Sequence, residues 1–132
     1  NGVMILQTLS WLEHYDKALV NIFKLNPDWI AASSLFFDGE IDAFITLYNY
    51  YRPISKSSFT NSYYHVYSLP RIERFFKNHG YSKFICKKFE IDIDLKQSTK
   101  DIGTYTQKLI TGERLQFSGP LWLPWYFIYA EK

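Results

Sequence analysis

The sequence predicts an α/β domain, a doubly wound sheet closed by an antiparallel pair of strands, and three observations predict it. Residues 121–130 (LWLPWYFIYA) are almost wholly apolar and rich in aromatic and branched side chains. That run is too short for a bilayer, which takes roughly 20 apolar residues, and it lacks the alternation of a half-exposed strand. It is expected as a strand buried on both faces, central in its sheet, with helices above and below. Residues 29–37 (WIAASSLFF) form a second apolar run, bounded by Pro27 and by Asp38-Gly39, and are expected as a second buried strand. Helical patterns alternate with these strands, whereas the last two strands follow one another without a helix and are expected to pair antiparallel.

Residues 1–12 (NGVMILQTLSWL) are apolar without a clear period and are expected to pass from the end of a buried strand into a helical turn. Asp16 is placed to cap the helix that follows. Along it Leu19, Ile22 and Phe23 share one stripe, and Asn26-Pro27 stops it. Asp38-Gly39 signals a tight turn, and Ile41, Ala43, Ile45 and Leu47 then alternate with Asp42, Phe44, Thr46 and Tyr48, the period of an extended strand. Residues 48–62 are aromatic, then polar, and read as a mobile loop, so that residues 38–66 form a flap-like insertion. Ser68 is placed to cap a second helix, with Pro70 in its first turn and Gly80 past its end. Leu69, Ile72, Phe75 and Phe76 give that helix its buried face, and Glu73 with Lys77 an i,i+4 ion pair. Residues 83–95 read as an edge strand whose second half alternates strictly. Thr111-Gly112-Glu113 joins two further strands as a hairpin. Pro120 and Pro124 lack an N–H, so regular pairing of the tail is expected to begin at Trp125. A central strand at the end of a chain demands earlier strands on both sides of it.

The 132 residues are one domain's worth of length, 47% hydrophobic and 20% aromatic. Fifteen basic and thirteen acidic residues leave a net charge of +2. With no long basic block, no nucleic-acid partner is implied. No signal peptide or transmembrane run is present, so no membrane partner and a cytoplasmic location are expected. The first residue is Asn1, and the residues after it are already apolar, whereas a natural start is usually polar and frayed. A piece of a longer protein is therefore expected, exposing an unpaired apolar strand edge and prone to form homo-oligomers. The single cysteine, Cys86, is expected as a buried thiol.

Several phrases carry a family resemblance. Residues 1–3 (NGV), the DKAL start of the first helix, NPDWIAASS at the second strand, YSLPRIERFFKNHGY at the second helix and the closing GPLWLPWYFIYAEK together resemble the C-terminal half of a class I S-adenosylmethionine-dependent methyltransferase. The likeness spans nearly the whole chain, and its most specific phrases are GPLWLPWYF and SLPRI. It implies a Rossmann-like sheet, S-adenosylmethionine as cofactor, a methyl acceptor, and Asn1 and Gly2 beside the cofactor's methionine part, at the end of the family's fourth strand. The family's Gly-rich turn is not in these residues: the glycines stand singly at positions 2, 39, 80, 103, 112 and 119. Since backbone must approach the ligand closely at such a turn, this chain alone is expected to bind the cofactor poorly.

Methyl transfer is an in-line displacement in which the protein chiefly aligns the acceptor and excludes water. A base is needed only where the acceptor loses a proton. The acceptor side is expected after the second buried strand, from Tyr48 and Tyr50 through Tyr63 and Tyr64, as an aromatic lid. His65 is the candidate base and His14 the second choice, their pKa class suiting neutral pH, while a dipole role suffices for His79 at a helix end. Without basic patches, a small-molecule or sugar-like acceptor is expected. Asp92 and Asp94 read as a solvated face rather than a metal site, and no GxSxG elbow, P-loop or zinc motif occurs. The alternative is a non-enzymatic α/β module that binds a sugar or a partner protein through its aromatic surface.

Overall fold

A computed structural model describes residues 1–47, 62–99 and 103–132. In chain order the elements are β1 (Gly2–Leu6), a 3-10 turn (Leu9–Trp11), α1 (Tyr15–Phe23), β2 (Trp29–Phe37), β3 (Thr46–Leu47), β4 (Ser62–Tyr63), β5 (Tyr67–Ser68), α2 (Leu69–Asn78), β6 (Lys83–Lys88), β7 (Thr104–Lys108), β8 (Arg114–Ser118), β9 (Leu121–Trp122) and β10 (Trp125–Glu131). The main sheet has the order β1-β2-β10-β6, with β5 beside the end of β2. β1 and β2 are parallel, and β10 is antiparallel to both of its neighbours. The fold is thus α/β with a mixed sheet.

The tail is interior, as its composition requires. Its pairing runs from Trp125 opposite Leu35 to Glu131 opposite Trp29 on one side, and from Tyr126 opposite Lys88 to Glu131 opposite Lys83 on the other. Pairing with the main sheet begins at Trp125, directly after a proline that has no N–H to give.

Burial of the tail departs from expectation. The register sets Ile5, Ile30, Ala32, Phe36, Ile128 and Ala130 on one face, where Leu19 of α1 and Leu69, Ile72 and Phe76 of α2 complete a single core. Strand side chains alternate between faces, so Met4, Leu6, Ile85 and Phe127 point to the other. They are 64, 57, 51 and 44% exposed. Both helices cover the first face, and no described helix covers the second, where only the end near Leu35 and Trp125 is packed, against Tyr64 and Leu123. β10 is therefore buried along one face, and its other face is open from Phe127 onward.

That open face adjoins β1, which pairs only with β2 among the described strands. An unpaired edge next to exposed apolar side chains favours association. We expect the 132-residue chain to sediment as a dimer or larger, and Met4→Glu with Leu6→Lys to shift it toward monomer. A concentration-independent monomer would contradict this.

Several local expectations hold. Ser68 caps α2, its Oγ accepting from Arg71 N at 3.3 Å. Gly80 takes φ +91° past the helix end, and Lys77 pairs with Glu73 at 2.6 Å. β7 and β8 form the expected hairpin, turned by Gly112 at φ +90°, a left-handed conformation that favours glycine. No described helix is long and apolar enough to cross a membrane.

Others are corrected. His14, not Asp16, holds the cap position of α1 and makes no side-chain cap bond, while Asp16 lies in the first turn, where a carboxylate suits the dipole. β6 is an edge strand but ends at Lys88, because the facing strand runs out: Phe89 N bonds Trp125 O at 2.9 Å as a last rung. Residues beyond it turn to the small sheet β7-β8-β9, where Leu95 N donates to Thr106 Oγ1 at 2.8 Å and Arg114 reaches Asp94 at 2.8 Å. The expected strand over residues 41–48 is reduced to Thr46–Leu47 within a looser antiparallel pairing of residues 43–47 with 62–66. Gly39 is not among the positive-φ glycines. Cys86 is exposed on β6. Its thiol is pushed above the ordinary range, chiefly by desolvation, so it is not an activated nucleophile.

Candidate functional site

In an open α/β sheet the ligand side lies beyond the carboxyl ends of the parallel strands. Here those ends are Leu6 of β1 and Phe37 of β2. Asn1 and Gly2 open β1 rather than end it, which corrects their assignment to the strand's end. The Asn1 amino group pairs with Asp28 at 2.8 Å. A Cβ on Gly2 would lie 1.9 Å from the Trp29 indole, so this glycine makes room for a ring of the neighbouring strand.

The residue directly after β1 is Gln7, held at φ +55°. A left-handed backbone on a residue with a side chain costs of order 1–3 kcal/mol and collects at functional sites. Gln7 N donates to Ser33 O at 2.8 Å and meets Ser33 Oγ at 3.2 Å, which holds the bend. The 3-10 turn is braced beneath it: Ser10 N donates to the buried Ser34 Oγ at 3.0 Å, and His65 N to Ser10 O at 2.8 Å. Leu9 plugs the core below, leaving Trp11 outside at 48% exposure.

Alternation along residues 63–67 divides the aromatic stretch in two. Tyr63, His65 and Tyr67 point one way, with Phe44. The His65 ring is buried, its centroid 5.0 Å from those of Tyr63 and Phe44 and 5.8 Å from that of Tyr67. Tyr64 points the other way, where it packs with Leu35 and Leu123 and meets the Trp11 ring at 4.9 Å. Residues 48–61, the middle of the expected flap, lie outside the described residues, and the stretch before them is pinned to α2. Asp42 accepts from Ser68 N at 2.7 Å and pairs with Arg71, and Glu40 holds Arg74 through two bonds of 2.6 and 2.7 Å.

His65 Nδ1 accepts from Ile45 N at 3.0 Å. The neutral ring then carries its proton on Nε2 and presents a donor, not a base. Burial pushes its pKa below the ordinary value, the nearby His14 adds to this, and Glu13 opposes it. His14 itself is exposed at the start of α1. Burial raises the phenol pKa of Tyr64 and of Tyr67, so both remain hydroxyls at neutral pH. Tyr67 spends its proton on Leu12 O at 2.8 Å.

A cavity of about 240 Å³ opens at this end, lined by Trp11, Leu47, Tyr64, Ser118, Pro120 and Leu121. Of the residues singled out for the acceptor side it takes Tyr64 alone. Tyr63 and His65 lie on the other side of the strand, and Tyr48 and Tyr50 fall outside the described residues. Trp11 belongs to the aromatic surface of the alternative reading, and Ser118, Pro120 and Leu121 were missed. Their signal was the phrase SGPL: Gly119, at φ +54°, turns the chain between β8 and β9 and brings Ser118 and Leu121 to one wall. Tyr64 feels both the Ser118 hydroxyl and the Trp125 indole. Trp125 Nε1 is buried without a hydrogen-bond partner among the described residues.

A shallower depression of about 570 Å³ runs along residues 94–97 and 105–107 of the small sheet. No group of His, Cys, Asp or Glu able to hold a metal is present among the described residues. No family model, curated protein or solved structure matches the chain.

Proposed function

We propose that the chain is the acceptor-facing part of a Rossmann-like, S-adenosylmethionine-dependent methyltransferase acting on a small-molecule acceptor. One observation carries the reading: the last strand is inserted antiparallel between β2 and β6, in the order β1-β2-β10-β6, which agrees with the antiparallel closing pair that the resemblance implies. The cavity at the carboxyl ends of β1 and β2 supports it further. The resemblance's cofactor-facing position, at the end of its fourth strand, falls on Gln7 and Thr8 once β1 is seen to run to Leu6.

The residues of this chain do not by themselves fit the cofactor. The β1–α1 connection, residues 7–14, contains no glycine, and Gly2 lies under Trp29. On this reading the Gly-rich turn is supplied from outside these residues. Within the chain, Trp11, Tyr64 and Leu121 would hold the acceptor and exclude water. Should the acceptor lose a proton, the exposed His14 is freer to take it up than His65, whose Nδ1 is engaged.

The test is calorimetry with S-adenosylmethionine on this chain and on a chain extended by the coding sequence upstream of Asn1. We expect no heat from the first and saturable binding by the second. Silence from both would sink the reading. It would favour a non-enzymatic aromatic binding module, for which the exposed indoles of Trp11 and Trp122 are the supporting observation.

A further inference from the structure

We propose that the cavity between Trp11 and Leu121 is a receptor for a single flat ring of hydroxyaryl type. This rests on the acceptor reading above and names the acceptor's class. The volume sets the size. At about 240 Å³ the space is smaller than the roughly 300–1,000 Å³ of sites that enclose drug-sized ligands. Water occupies about 30 Å³ per molecule in the liquid, so the cavity matches about eight non-hydrogen atoms, one ring with one or two substituents.

The walls set the chemistry. Leu47, Pro120 and Leu121 are apolar, and the Trp11 and Tyr64 rings meet at 4.9 Å with planes tilted by 56°. Such a corner offers a guest ring stacked and edge contacts at once. Trp11 is half-exposed, so stacking on it removes apolar surface from water. The polar side-chain groups of the lining are the Tyr64 and Ser118 hydroxyls and the Trp11 indole N–H, few enough to serve one polar substituent. A sugar ring carries a hydroxyl on most of its carbons, and most would be desolvated here without partners. The occupant is therefore an aryl ring with one polar substituent.

The experiment titrates the 132-residue chain with p-cresol and, separately, methyl β-glucoside, by amide and methyl NMR. We expect p-cresol to shift Trp11, Leu47 and Leu121 saturably and methyl β-glucoside to leave them unmoved. Leu121→Phe, which fills the cavity, and Trp11→Ala, which alters a half-exposed ring outside the core, should each weaken p-cresol at least about tenfold. Thermal melts serve to verify that both variants fold. No saturable shift with p-cresol, equal affinity in both folded variants, or tighter binding of methyl β-glucoside would overturn the proposal. No S-adenosylmethionine is present. Binding of p-cresol by a chain whose extended form ignores the cofactor would sink methyl transfer and leave this inference standing.

Discussion

Phe76→Ala should lower the stability of the chain by about 3–5 kcal/mol, a large share of the roughly 5–15 kcal/mol available to a domain. Phe76 is fully buried on α2. Its ring meets Phe23 of α1 at 5.4 Å, Tyr81 at 5.7 Å and Phe84 of β6 at 5.8 Å, so one side chain joins both helices to the sheet. Truncation leaves a cavity that three rigid rings cannot easily collapse into. Phe127 is the control. It lies on the opposite face of the same sheet, 44% exposed, and Phe127→Ala should cost about 1 kcal/mol or less. Urea unfolding with unchanged m-values reads both. Equal costs would show that the second face is covered in solution and would contradict a one-sided core.

That asymmetry is where the sequence ceased to be legible. The tail announces an interior strand because ten apolar residues can be tolerated only with partners on each side. Whether its two faces are covered is a different matter, since it depends on the helices and not on the strand. Phe127 and Ile128 look alike in the sequence, yet one is half-exposed and the other buried. β2 was readable to the residue, and so was the Ser68 cap, because each is specified locally. The end of β6 was not, because it is fixed by where β10 begins, about forty residues later. The candidate site shows the same division. Tyr64 could be suspected from the density of tyrosines, but alternation then sends Tyr63 and His65 away from it. Leu121 reaches the Tyr64 cavity only through the turn at Gly119, and Trp11 meets Tyr64 from the 3-10 turn tied to it by His65 N and Ser10 O, contacts no local pattern encodes.

His65→Ala should cost about 1–3 kcal/mol from the orphaned Ile45 N–H alone, with a further loss for the hole left among Phe44, Tyr63 and Tyr67. His65→Asn separates the hydrogen bond from the charge. Its amide oxygen stands near the place of Nδ1, 3.0 Å from Ile45 N, and does not titrate. The sign of the pH effect follows from the direction of the shift. The folded pKa lies below the ordinary 6.5, first through burial and then through His14. The unfolded chain thus binds the proton more readily, and stability rises with pH across the interval between the two values. The contribution is complete above about 6.5 and is lost as pH falls through the folded value. Asp28, Glu40, Asp94 and Glu131 are also depressed, each by an ion pair, but their windows open below the ordinary carboxylate values and lie apart from the His65 interval just under 6.5. Urea midpoints at pH 7.5, 6.5 and 5.5 should fall for the natural chain and stay nearly level for His65→Asn. Parallel curves would show that the imidazole is not the neutral acceptor its geometry describes, and would return His65 to consideration as the base.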